Sequence, residues 1–295
     1  MEALELFSKY TNREIHDKDG GLMIYTGEKK IVCELYHDHM ENHKRYPIKK
    51  AQLIIADIPY NLGANAYASN TAWYVNGDNK QGESDKARAQ FFNTDKDFNI
   101  DNFFRFVKRM LKPEPKEKGQ APALIILCAF NQLAPLIEIG KKWGFKTMNH
   151  PFVFTKNYSA ETLKANMRPV GACEYGLLFY RDKLPKFRNE GKMVYNHMPY
   201  EKDQHVEKIH TTQKPVNLME RLIEIFTDPY DVVIDPVAGS ASTLIAARNL
   251  KRHSYGFEVY KPFYAKAKER LEGMTQAEKK YRKIQTSIFD MEVDL

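Results

Sequence analysis

Apolar residues occur along this chain in short, unbroken runs separated by segments of helical period, and that alternation sets the first expectation. Residues 30–35 and 254–259 read as strands, and the runs 51–57 (AQLIIAD), 123–130 (ALIILCAF) and 232–234 are rich in Val, Ile and Leu and too short for buried helices. These runs read as strands covered on both faces, which is how parallel strands look in sequence. Two further runs, 145–156 and 174–180, predict additional strands. Between them, 101–111 (DNFFRFVKRML), 132–144 and 216–226 (VNLMERLIEIF) repeat apolar positions every three or four residues, as amphipathic helices do. Asp101 is placed to cap the first of these and Gly144 to end the second; Pro215 sits at the start of the third. A short helix is expected at the N-terminus from Leu4, Leu6, Phe7 and Tyr10, before a Gly20-Gly21 turn, and a Lys-rich one over 261–285 from Phe263, Ala267 and Leu271. Strands alternating with helices predict an α/β fold with a mostly parallel sheet.

Two stretches break the periodicity. Residues 63–99 are polar and long, the length of a functional loop. Residues 181–209 mix basic, aromatic, Pro and Gly residues, as an irregular surface module does.

Composition adds bounds. The chain has 295 residues, 43% hydrophobic, enough for one large α/β domain or one with an inserted module. Its formal charge of +7 makes a polyanionic partner plausible, and the charge is spread along the chain, which favours a folded groove over a basic tail. Cys33, Cys128 and Cys173 are too few and too scattered for a disulfide framework or a zinc signature. His37, His39 and His43 lack a matching Cys/His pair, so no metal site is expected. The N-terminus shows no signal-peptide pattern and no run has membrane-spanning length, so a cytoplasmic protein is expected.

The candidate chemistry lies where strands end. After 232–234 come Asp235, Pro236, Val237, Ala238, Gly239 and Ser240, and then a helical pattern opens at Leu244. A strand, a turn of small residues and a helix N-terminus let a ligand approach the backbone closely. The turn alone is common in α/β proteins. Glu258, about twenty residues on at the end of the next strand, stands where a carboxylate can hold two ribose hydroxyls, and that spacing points to a nucleoside cofactor.

The second stretch is Asp57, Ile58, Pro59 and Tyr60, which ends the run 51–57. Pro59 fixes its own φ and holds Ile58 extended, so the Ile58 carbonyl has a defined direction. That carbonyl and the Asp57 carboxylate form a pair of acceptors suited to an exocyclic amino group. Both hydrogen bonds would draw the nitrogen lone pair out of ring conjugation, while Tyr60 stacked on the base. By itself the tetrapeptide also fits an ordinary strand-ending turn.

Together, the stretches resemble the β group of DNA amino-methyltransferases that use S-adenosylmethionine, in which the catalytic motif precedes the target-recognition region and the cofactor loop comes last. The resemblance runs from about residue 30 to 272. Asp57 to Tyr60 match the Asp-Pro-Pro-Tyr motif; Thr212, Gln213, Lys214 and Pro215 match Thr-Gln-Lys-Pro intact; and 235–243 match the cofactor loop. Glu258, Glu174 and Lys156 match further family positions. The resemblance implies a Rossmann-like methyltransferase fold with an inserted irregular target-recognition region. It divides the chain into a catalytic half (1–156), a recognition region (157–209) and a cofactor-binding half (210–295). It implies that Asp235 to Ser240 and Glu258 hold S-adenosylmethionine, with Thr212, Gln213 and Lys214 near its carboxylate. Arg168, Arg181, Lys186 and Arg188 are the candidates for phosphates or base edges of double-stranded DNA. An acidic first residue goes mainly with adenine N6, so Asp57 favours adenine over cytosine N4. The family's setting is a prokaryotic cell, its phage or a mobile element, where a restriction endonuclease partner and a homodimer are both known arrangements.

Three positions depart from the motif. Ile58 replaces the first Pro, Val237 a Phe, and Ala241 a Gly, the last tolerable if its φ stays negative. These departures leave an inactive DNA-binding paralogue as one alternative. A nicotinamide oxidoreductase would not need the 57–60 motif, and an RNA or protein amide methyltransferase would more often begin it with Asn.

Overall fold

The computed structural model describes residues 14–16, 22–26, 29–59, 98–156, 169–200 and 213–273, with side chains from residue 31 onward. Among the described residues, eleven strands form one sheet: β1 (Glu14–His16), β2 (Leu22–Thr26), β3 (Lys29–Tyr36), β4 (Leu53–Asp57), β5 (Ala123–Cys128), β6 (Lys146–Thr147), β7 (Phe152–Lys156), β8 (Cys173–Tyr180), β9 (His197–Tyr200), β10 (Val232–Asp235) and β11 (His253–Phe257). The order is β1-β2-β3-β11-β10-β4-β5-β8-β7-β9, with β6 beside β8. Its heart, β3-β11-β10-β4-β5, is parallel. β8 closes that heart by running antiparallel to β5, and β7 reverses direction again. The carboxyl ends of β4, β5, β10, β11 and β7 therefore share one edge with the amino end of β8. All three sequence segments contribute strands to this one sheet.

The period of two along each strand divides the core into two layers. On one face, Leu53 and Ile55 of β4 and Ile125 and Leu127 of β5 pack under α3 (Val216–Phe226), α4 (Ser242–Asn249) and α5 (261–273). On the other, Ile54, Ala56, Leu124 and Ile126 pack under α1 (Ile100–Met110) and α2 (Leu133–Lys142). Burial on both faces explains why these strands are continuously apolar. α1 delivers Phe103, Phe104 and Phe106 to the second layer, and truncating any of them to Ala costs about 3–5 kcal/mol.

Several expectations need correction. Glu14–His16, placed within an N-terminal helix by local period, is a strand paired antiparallel to β2, because an available sheet edge outweighs weak helical patterning. Leu4, Leu6, Phe7, Tyr10 and Gly20-Gly21 lie outside the described residues. α1 is capped by Asn99, which accepts from Asn102 N–H at 3.0 Å; Asp101 instead accepts from the Trp143 indole at 2.9 Å. The run 145–156 divides into β6 and β7. The loop 63–99 lies outside the described residues up to residue 97.

Candidate active site

β4 ends on Asp57, and β10, its parallel neighbour, ends on Asp235. The two sequence stretches thus meet at the carboxyl edge of the sheet, where open α/β sheets bind ligands.

The loop after β10 is tightly internally bonded. Val237 N–H donates to Asp235 Oδ1 at 3.1 Å, and Ala238 N–H to the Phe257 carbonyl at 2.8 Å. Gly239 stands at φ +50°, and its N–H donates to Glu258 Oε2 at 2.9 Å. Glu258 Oε1 accepts from Tyr260 N–H at 2.7 Å. Each Glu258 oxygen retains a second lone pair, the acceptor set a ribose diol requires. Gly256 lets α4 close down on β11, since a Cβ there would meet Leu244 Cδ1 at 2.8 Å. From below, Arg270 donates to the Ser240 carbonyl at 2.8 Å and to Ser242 Oγ at 3.0 Å. Small residues, a helix N-terminus and an acid on the next strand fit an adenosyl cofactor.

Burial raises Asp235 to about 7, against the bonds from Thr243 and Val237, and the charges of Asp57 and Glu258 add to the rise. Burial likewise raises Glu258, opposed by its backbone donors, chiefly the Tyr260 and Gly239 N–H groups. This pocket favours neutral or cationic groups near its floor.

Ala241 requires a correction. It caps α4 in the left-handed region, at φ +60° and ψ 23°, so the condition of a negative φ is not met. The chain accepts a strain of about 1–2 kcal/mol there and buries the Ala241 methyl fully. Val237 is half-buried against the layer that holds Phe257. Ile58 is buried in that same layer, so core packing anchors the peptide where the family uses a Pro ring.

Around Asp57 the structure builds a chain of charges. Lys214 Nζ lies 2.8 Å from Asp57 Oδ2 and 3.1 Å from Glu174 Oε2, and Lys156 Nζ lies 2.7 Å from Glu174 Oε1. Burial alone would raise Glu174, but the two ammonium groups outweigh it and hold its carboxyl at about 2. The Lys214 side chain, 7% exposed, thus reaches the Asp57 carboxylate at the end of β4. Its backbone carbonyl accepts from Ser242 Oγ at 2.7 Å, tying the 213–215 segment to the start of α4 after the β10 loop. Gln213 is half-buried beside it, Pro215 is the N-cap of α3, and Thr212 lies outside the described residues. So does Tyr60.

Sequence reasoning missed Gln132. Its side-chain amide donates to the Pro59 carbonyl at 2.8 Å while its oxygen accepts from Ala129 N–H at 3.0 Å. It clamps the peptide after Asp57 to the turn that follows β5. A glutamine in a helix-start pattern carries no signal of a partner 73 residues away.

The basic residues assigned to DNA fall elsewhere. Because β8 is antiparallel to β5, the chain leaves Tyr180 at the amino end of the sheet, a strand's length (roughly 15 Å) from Asp57. There Arg181 donates to the Lys112 carbonyl, Lys186 pairs with Asp228 and Asp231, and Arg188 pairs with Asp228 at 2.9 Å. These three hold the amino end of the sheet together, on the wrong edge for a base in the crevice. Arg168 lies outside the described residues. His37 bonds the Val259 carbonyl at 3.2 Å, His39 caps the 3-10 turn Met40–Arg45, and His43 bonds the Met40 carbonyl. Among the described residues no helix is long and apolar enough to cross a membrane.

The sequence profile of a DNA methylase family, the N6/N4 methyltransferases, matches residues 51–269. A putative methylase of Escherichia coli K12, YubD, is 30% identical over 154 residues, 52% of this chain and 63% of its own length. Among solved structures, the S-adenosylmethionine complex of M1.HpyAVI superposes with a TM-score of 0.60 at 22% identity, covering 80% of this chain and 98% of that one. The cytosine-N4-specific PvuII DNA methyltransferase gives 0.58 at 17% identity, covering 79% and 84%. These neighbours show a Rossmann-like methyltransferase fold. By its match over residues 51–269, this chain belongs to the N6/N4 DNA methylase family.

Proposed function

We propose that the protein transfers a methyl group from S-adenosylmethionine to N6 of an adenine flipped out of double-stranded DNA. The observation that carries this reading is the placement of Asp57 and Ile58 at the end of β4, one strand from the Asp235–Ser240 loop after β10 and two strands from Glu258 after β11. Glu258 receives the ribose hydroxyls, and the loop and the start of α4 receive the rest of the cofactor. When bound, that cofactor supplies an electrophilic methyl group.

The chain's own residues prepare the acceptor. Asp57 and the Ile58 carbonyl each accept one N–H of the adenine amino group, leaving its lone pair free of the ring. Lys214 fixes the Asp57 carboxylate through Oδ2, and Glu174 shares that ammonium so that it does not neutralise Asp57 alone. Gln132 holds the Pro59 carbonyl, which keeps the neighbouring Ile58 carbonyl in position. Tyr60 stacks on the base. Adenine is favoured over cytosine because the motif opens with an acid.

The test is transfer of labelled methyl from S-adenosylmethionine to unmethylated genomic DNA, followed by nucleoside digestion and mass spectrometry. N6-methyladenine, lost in Asp57→Ala, supports the proposal. N4-methylcytosine would reverse the base assignment and keep the mechanism. Cofactor binding without DNA methylation would reject both.

A further inference from the structure

At the carboxyl edge of the sheet the chain exposes an aromatic ring that, among the described residues, only Tyr175 supports. Phe130 follows the carboxyl end of β5 in the short turn Phe130–Gln132, and it is 72% exposed. The phenylalanines of α1, by contrast, are fully buried. What sets Phe130 apart from other exposed apolar side chains such as Met193 and Phe187 is its place: it follows the carboxyl end of β5, beside the end of β4, where its face is open to a ligand. Its neighbour is Tyr175 of β8, half-buried, with ring centroids 5.6 Å apart and planes at 55°. Tyr175 supports the ring from one side and leaves its remaining surface open.

The turn is not free to move relative to the catalytic peptide. Gln132, two residues on, bonds both Ala129 N–H and the Pro59 carbonyl. Phe130 is thereby held at a fixed offset from Asp57 and Ile58, on the edge that a DNA substrate must approach. Base–aromatic stacking is tolerant of sequence and suits a residue that helps to seat any site's bases.

We infer that Phe130 is a stacking residue for a nucleobase of the bound DNA, presented by a turn that Gln132 locks to the catalytic peptide. The inference rests on the proposed DNA methylation. It assigns Phe130 a role in substrate seating and none in cofactor binding.

The experiment compares wild-type protein with Phe130→Ala, Phe130→Leu and Phe130→Trp, measuring methyl transfer to unmethylated genomic DNA, KM for each substrate and thermal stability. Phe130→Ala and Phe130→Leu should each raise KM for DNA about tenfold, the size of one lost stack. KM for S-adenosylmethionine and the melting temperature should stay unchanged. Phe130→Trp should work within about threefold of wild type, and its added fluorescence should be quenched by DNA, as a stacked indole is. Unaltered DNA kinetics in Phe130→Ala, a Leu variant as good as wild type, or Trp emission indifferent to DNA would each overturn the inference while the wild type still methylates DNA. A wild type that transfers no methyl to DNA would instead reject the functional reading, and the inference with it.

Discussion

The two ends of the sheet carry similar charges in different settings. At the amino end Asp231 receives Lys112 at 2.7 Å, Lys186 at 3.3 Å and the Asp228 N–H at 2.9 Å. That cluster closes on itself, with the Asp231 side chain 13% exposed. At the carboxyl end the chain Lys156–Glu174–Lys214 ends on Asp57, 28% exposed and next to a directed carbonyl and a small-residue loop. Lysine–carboxylate contacts are common to both, so charge composition does not distinguish a strut from a site. What distinguishes them is the edge: strand ends that diverge leave a crevice, while strand starts here are sealed by returning chain.

Exchanging the two aspartates breaks or upholds that comparison with the largest effect. Asp57→Ala should reduce methyl transfer at least about 10²-fold, the scale of losing one preorganised polar partner in a transition state, while the protein stays folded. Asp231→Ala should leave activity per folded molecule within about twofold and destabilise by about 1–3 kcal/mol, because two lysines lose a shared acceptor. Burial alone would raise Asp231, but its bonds to Lys112 and Asp228 outweigh it and lower the group. Its stabilisation is therefore present above the ordinary carboxylate value and is lost as pH falls through the lowered one. Paired turnover and melting curves for both variants would decide the matter; an inactive yet folded Asp231→Ala would erase the distinction.

Glu174→Gln sharpens the comparison from the carboxyl end. Glu174 is held at about 2 against an ordinary value of 4.5. A depressed carboxylate stabilises the fold above its unfolded value and loses that contribution as pH drops from 4.5 toward 2. The shift corresponds to about 3 kcal/mol, so Glu174→Gln should melt several degrees lower at neutral pH. The difference should vanish near pH 2 if the carboxylate is the cause. A constant gap across that range would point to packing instead.

A smaller effect is expected from the basic residues of the amino end. Lys186→Ala with Arg188→Ala should cost about 1–2 kcal/mol of stability through the loss of the Asp228 pairs. DNA affinity should change by less than about twofold and its salt slope by well under one unit, since each residue on a phosphate would contribute close to one unit of slope. A drop of one unit would return these side chains to the DNA surface.

Local structure is written in the local sequence, whereas the pairing of distant segments is not. The strands at 51–57, 123–130 and 232–234 were legible because parallel strands buried on both faces need unbroken apolar runs. The α3 boundary at Pro215 was legible for a different local reason: proline is tolerated at the start of a helix and not in its interior. Sheet order is not local: nothing in RDKLPKFR states that β8 runs antiparallel to β5, and that one reversal moved Arg181, Lys186 and Arg188 to the opposite edge. The Gln132–Pro59 bond and the Lys214–Asp57 pair join distant segments and leave no periodic trace. Asp101 and Asn99 are both competent caps two residues apart, and Asp101 was drawn away by the Trp143 indole.

Ala241 gives the smallest expected effect and bears on whether the altered motif still works. Its left-handed backbone costs about 1–2 kcal/mol. Ala241→Gly would relieve that strain, but it would also remove a fully buried methyl, about 0.8 kcal/mol, and add about 0.5–1 kcal/mol of unfolded-state freedom. The terms nearly cancel, so the melting temperature should move by no more than a few degrees and methyl transfer by less than about twofold. The Ala238 carbonyl already accepts from Ala241 N–H at 2.7 Å, and Ile245 N–H bonds the Ala241 carbonyl at 3.0 Å, so the turn is closed with alanine in place. A large gain of activity in Ala241→Gly would mean that the methyl distorts the cofactor loop, and the chain would then be a weakened relative of its family. Near-neutrality would mean that packing has absorbed the departure, leaving Asp57 and its neighbours as the residues on which activity depends.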